Sequence, residues 1–71
     1  MATTQQEINA SVNRIILVVQ TNGGSVVVEK KFAGAWMEVD KLTADGAYPM
    51  YIGKSPTRVS PADGAAYEVQ W

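Results

Sequence analysis

Seventy-one residues with a net charge of −1, from six basic and seven acidic side chains, allow one domain and carry no cationic stripe of the kind nucleic-acid binders use. There is no cysteine and no histidine, which removes disulfide staples, the usual zinc ligands and the ordinary Ser-His and Cys-His nucleophiles. A domain this small buries only about 60% of the surface its unfolded chain exposes, so without a staple it needs a very good core or self-association.

The first 13 residues, MATTQQEINASVN, are polar and poor in aromatics. Thr4 and Glu7 have capping-box spacing, and Ile8 and Val12 follow four apart, which fits a short helix. A flexible or partner-bound N-terminal arm is the preferred reading of the same residues. RIILVVQ (14–20) is a β-branched run closed by TNGG, and its length, branching and Asn-Gly turn favour a strand, apolar on both faces and so buried on both. It is far shorter than the roughly 18 apolar residues that cross a membrane, and no membrane partner is expected. TNGGS reads as a hairpin turn, because Asn and Gly tolerate positive φ.

SVVVEKKF (25–32) alternates, with Val26, Val28, Lys30 and Phe32 on one face and Val27, Glu29 and Lys31 on the other. AGA (33–35) is a turn, WMEVDKL (36–42) a strand and TADGA (43–47) a turn. YPMYI (48–52) is a strand whose Pro49 belongs at an edge or bulge. TRVS (57–60) and AYEVQW (66–71) complete the set, separated by PADGA, whose Asp-Gly repeats the turn chemistry of residues 44–47. Turn signals about every ten residues, with no βαβ alternation, predict an all-β fold: a small antiparallel β-sandwich or partly open barrel of about six short strands. Residues 1–13 form an arm or short helix and 14–71 the β domain.

Chemistry is hard to build from these side chains. Lys54 and Ser55 are adjacent in a turn, where neighbours point apart. Glu38 and Asp40, two apart on a strand, share a face at roughly 7 Å, a spacing that suits paired carboxylates, but a domain of this size has little room for a cleft. Asp45-Gly46 and Asp63-Gly64 resemble fragments of calcium loops without the remaining ligands. No catalytic residue, cofactor or metal is therefore expected. Of the aromatic residues, Tyr48, Tyr51, Tyr67, Trp36 and Trp71, at least three belong in the core. Trp36 has the parity of Glu38 and Asp40, opposite to Met37 and Val39. It either faces outward as an interface residue or is turned inward by a β-bulge near Gly34. Leu42 falls on the same parity, so the register is not clean.

G-x-W-x-x-V (34–39), L-T-x-D-G (42–46), TRVSP (57–61) and the closing AYEVQW (66–71) follow one another in an order that resembles the small β-rich virion proteins of tailed bacteriophages. The resemblance covers roughly residues 14–71. It implies binding instead of chemistry: a capsid decoration or cement protein on the virion surface, soluble in the host cytoplasm before assembly. Such a protein works as a homo-oligomer, here a trimer, and binds the major capsid protein or another virion protein. Ile8, Val12, Trp36 and Tyr51 are the expected contact residues. The alternatives are a head–tail accessory protein, a tail- or fibre-associated adhesion module presenting Trp36, Tyr48 or Tyr51 to a glycan, and a small hydrolase built on Glu38 and Asp40.

Overall fold

The structure, a computed structural model, describes residues 1–8, 13–53 and 56–70. It is all-β, with strands β1 (Gln6–Ile8), β2 (Arg14–Gln20), β3 (Ser25–Phe32), β4 (Ala35–Leu42), β5 (Gly46–Tyr51), β6 (Thr57–Ala62) and β7 (Ala66–Gln70). Two antiparallel sheets, ordered β1-β6-β3-β4 and β5-β2-β7, enclose one core without closing into a barrel. Pro49 sits on the edge strand β5, where its missing N–H interrupts no internal ladder.

Period-2 patterning places the core. Ile15, Leu17 and Val19 point inward from β2 and meet Tyr67 from β7, Val26 and Val28 from β3, and Val59 from β6. Each of these aliphatic side chains, removed from water, contributes about 1.5–3 kcal/mol. The even residues of β2 do not join them: Ile16 is exposed and Val18 half-buried. The continuous apolar run is therefore a one-sided strand: among the described residues nothing covers Ile16 on the outer face of the three-stranded sheet.

The connections differ most from expectation. Only Ala33-Gly34 joins strands that pair with each other, β3 and β4. Asn22-Gly23 and Asp63-Gly64 have the paired positive φ of tight two-residue turns. Yet each carries the chain from one sheet to the other, since β2 does not pair with β3 nor β6 with β7. The two corners lock together. Asn22 Nδ2 donates to the Gly64 carbonyl at 3.2 Å, and a Cβ at Gly24 would lie 2.0 Å from the Ala62 oxygen, so only glycine fits there. The first Asp-Gly, Asp45-Gly46, is a different device. Gly46 is extended, at φ 158°, and Asp45 Oδ1 accepts hydrogen bonds from Thr21 N and Thr21 Oγ1, both at 2.8 Å. Those bonds, the backbone one foremost, hold the Asp45 carboxyl below its usual range.

The N-terminal segment is neither helix nor free arm over its described part. Ala2 exchanges two backbone hydrogen bonds with Tyr67 of β7 (2.7 and 3.0 Å), and β1 then pairs with β6 in the opposite sheet. Residues 1–8 thereby bridge the sheets along one side. Tyr67, fully buried, fixes the crossing: its hydroxyl donates to the Thr4 carbonyl at 2.7 Å, with Gln6 Oε1 3.3 Å away. Burial pushes the Tyr67 phenol up from its ordinary value, so it remains a donor at neutral pH.

Two outcomes are expected. Tyr67→Phe leaves the Thr4 carbonyl without its donor and lowers stability by about 1 kcal/mol, with faster amide hydrogen exchange confined to residues 2–8. Exchange spread evenly over the chain would contradict this role. Ala33 is held at φ 51°, a region that disfavours a Cβ, so Ala33→Gly raises stability by about 0.5–1 kcal/mol in urea denaturation.

Candidate functional site

Four residues were expected to meet a partner, and the fold treats them differently. Ile8 is 3% exposed and belongs to the core. It lies on the inward face of β1, aligned with buried Thr57, because the segment expected to be an arm is a strand. Val12 lies outside the described residues, as do Lys54, Ser55 and Trp71. Tyr51 is 71% exposed at the end of β5. Trp36 points outward but is not bare. The Arg58 guanidinium lies 4.4 Å from its ring centroid and the Lys31 ammonium 5.8 Å, so the ring is the apolar floor of a cationic pair on the outer face of the four-stranded sheet.

A β-bulge resolves the conflicting parity of β4. Glu29 pairs with Glu38 and Val28 with Asp40, leaving Val39 as the extra residue. Residues before it keep Trp36 and Glu38 outside; residues after it turn Asp40 and Leu42 inward. The bulge is five residues beyond Gly34, and it moves Leu42 into the core while leaving Trp36 outside. It also separates Glu38 and Asp40 onto opposite faces, which removes the shared face that a carboxylate pair requires.

On the outer face Arg58 grips Glu29 with two near-parallel bonds, Nε to Oε1 and Nη2 to Oε2, both 3.0 Å. Ser60 Oγ adds a third contact at 3.3 Å. The fork is positioned by register, since Arg58 and Glu29 are directly opposite on β6 and β3.

Among the described residues, nothing bridges the sheets on the side away from residues 1–8. There β4 and β5 are both edge strands, and between them lies a cleft of about 250 Å³ lined by Val28, Lys30, Val39, Asp40, Pro49, Met50, Tyr51, Ile52 and Thr57. At its floor Lys30 Nζ donates to the Ile52 carbonyl at 2.8 Å and contacts Thr57 Oγ1 at 3.1 Å. Burial pushes the Lys30 ammonium below its ordinary value. Val39, 50% exposed, borders it from β4. Sequence reading placed Lys30 on the face of Val26, Val28 and Phe32 without treating it as a site residue. Inward parity for a lysine among valines was the available signal.

No protein-family profile, curated protein or solved structure matches the chain.

Arg58 hydrogen bonding, working against desolvation and helped by the Arg58 charge and Ser60, holds the Glu29 carboxyl below its ordinary value of 4.5. A depressed carboxyl contributes stability that is complete above that value and lost as pH falls through it toward the folded-state value. Arg58→Ala should therefore flatten the acid limb of a stability–pH curve measured by urea denaturation below about pH 4.5. An unchanged slope would remove Glu29–Arg58 from the account of acid sensitivity.

Proposed function

We propose that the protein is a non-enzymatic structural component of a tailed-phage virion: a capsid decoration or cement protein that works as a trimer and binds the head shell through its open side. The observation that carries this reading is the asymmetry of the sandwich. One side is bridged by residues 1–8, while the other leaves two edge strands apart and exposes Val39 and Tyr51 at a cleft. Exposed apolar side chains grouped on one side of so small a domain mark a surface that associates. The virion context comes from the sequence resemblance, with the shell contact moved from the N-terminal residues to the β4–β5 side.

A glycan-binding fibre module has less support. Trp36 carries Arg58 on its ring, and the Tyr48 hydroxyl donates to the Ala44 carbonyl while its ring packs on the core. Of the three aromatic residues named for that role, Tyr51 keeps an exposed ring.

The purified chain is expected to have a mass in solution about three times 7.7 kDa and to co-sediment with phage shells lacking it. Val39→Lys combined with Tyr51→Ala should weaken that co-sedimentation at least tenfold, with little change in Tm because both residues are exposed. A stable monomer that leaves shells in the pellet without joining them would overturn the proposal.

A further inference from the structure

We infer that the β4–β5 cleft is a pocket for a carboxylate carried next to an apolar side chain, presented by an acidic-apolar segment of a partner polypeptide, with Lys30 as the cation that receives it. The inference rests on the proposed open-side contact and names what enters it. Four observations lead there.

First, the two strands bordering the cleft are poor templates for strand addition. The free edge of β4 carries Glu38, Asp40 and Lys41 and is bent by the bulge at Val39. Antiparallel pairing with a second copy of β4, centred on Val39, would set Glu38 against Asp40. Centring it on Glu38 or Asp40 would set that acid against itself. Each is an arrangement of like charges that resists association. The free edge of β5 is interrupted at Pro49, which has no N–H to offer. A visitor therefore has side chains to insert, not a ladder to extend.

Second, the walls are apolar: Val28, Val39, Met50, Ile52 and the ring of Tyr51. They supply the apolar part of a lining that also holds Lys30, Asp40 and Thr57, and they suit a leucine-sized group beside a charged one.

Third, the floor is cationic and its charge is unanswered. Lys30 Nζ is held by a carbonyl and a hydroxyl, both neutral. The only ion pair among the described residues is Arg58–Glu29 on the far face of the same sheet. A partly buried ammonium with neutral acceptors loses hydration without gaining a counter-ion, whereas a methionine of similar length would fill the space with no such loss. An incoming carboxylate supplies the missing charge, in a setting where a charge-assisted bond is about twice as strong as a neutral one.

Fourth, Asp40 stands at the exposed rim, its Oδ1 already accepting from Lys41 N at 2.9 Å. It repels carboxylates that lack an apolar companion to hold them, and so selects for the combined group.

The test uses the isolated full chain, observed by amide NMR, with N-acetyl-Leu-Glu-amide as the probe and N-acetyl-Leu-Gln-amide and sodium acetate as comparators. The glutamate probe should shift the amides of Lys30, Val39, Met50 and Ile52. The glutamine probe and acetate should each bind at least tenfold more weakly. Lys30→Met, which replaces an inward lysine by a residue of similar length, should keep the spectrum folded and abolish the preference for Glu over Gln. Asp40→Asn, on the exposed rim, should tighten the glutamate probe roughly threefold by removing a like charge. Equal binding of both peptides, a preference that survives Lys30→Met, or acetate binding as tightly as the peptide would each overturn the inference. Shells co-sedimenting with an unmodified chain that shows no peptide preference would overturn this pocket and leave the proposed shell binding standing. Loss of shell binding by the unmodified chain with the peptide preference intact would do the reverse.

Discussion

The Tyr67 hydroxyl bond to the Thr4 carbonyl, with the backbone exchange between Tyr67 and Ala2, organises this small protein. A sandwich of four and three strands has two open sides, each exposing unpaired backbone along its edge strands. Residues 1–8 bridge one of them by pairing first with β7 and then with β6. A tyrosine at position 67 performs two tasks that no aliphatic residue could combine. Its ring fills the core beside Leu17 and Val19, and its hydroxyl satisfies a carbonyl of the crossing segment. With no disulfide or zinc cluster available, this clasp covers one side of an otherwise marginal core.

The other side stays open because its edges resist closure. β4 and β5 come from opposite sheets, and a hydrogen-bonded seam between them would complete a barrel. The bulge at Val39 bends β4, Pro49 removes a donor from β5, and Lys30 brings a charge into the gap. Any one of these weakens a seam; together they keep the sheets apart on that side alone. The asymmetry is thus a property of three residues, Val39, Pro49 and Lys30, and not of the sandwich architecture, which both sides share.

Much of this was legible in the sequence where a local signal decides the structure. Strands 14–20 and 25–32 were located to the residue, because β-branched alternation and flanking glycines act over short distances. The edge position of Pro49 followed from its missing N–H. What could not be read locally was which strands become neighbours. A two-residue turn with paired positive φ serves a hairpin at Ala33-Gly34 and a sheet-to-sheet corner at Asn22-Gly23, and the difference lies in what each flanking strand finds to pair with. β1 was missed for the same reason: QEI has little strand propensity alone and is a strand because β6 offers an edge. The mixed parity of Trp36 and Leu42 was visible as a contradiction, but placing the bulge at Val39 required the partner strand. Tyr51 was expected at a contact surface and its side chain is 71% exposed; Ile8 was read as a contact because its apolar character suits a surface patch and a core equally well.

Lys30 shows how an inconsistency between levels can be more informative than a motif. Every other fully inward position on β3, from Val26 to Val28, obeys the binary pattern, and Lys30 breaks it at the point where the opposing sheet falls away. A lysine there loses hydration, gains only neutral acceptors, and interrupts an apolar face that Phe32 would otherwise continue. Folding alone would favour an aliphatic residue at that position, since an apolar side chain of similar length would bury the same stem without stranding a charge. Local rules are most often broken where a binding requirement outweighs the stability lost. The same reasoning separates Lys30 from Lys31 on the next position, whose ammonium reaches solvent and the Trp36 ring and needs no further explanation. What distinguishes the two lysines is which face of β3 they occupy, and that face is fixed by the clasp and bulge that leave one side of the sandwich open.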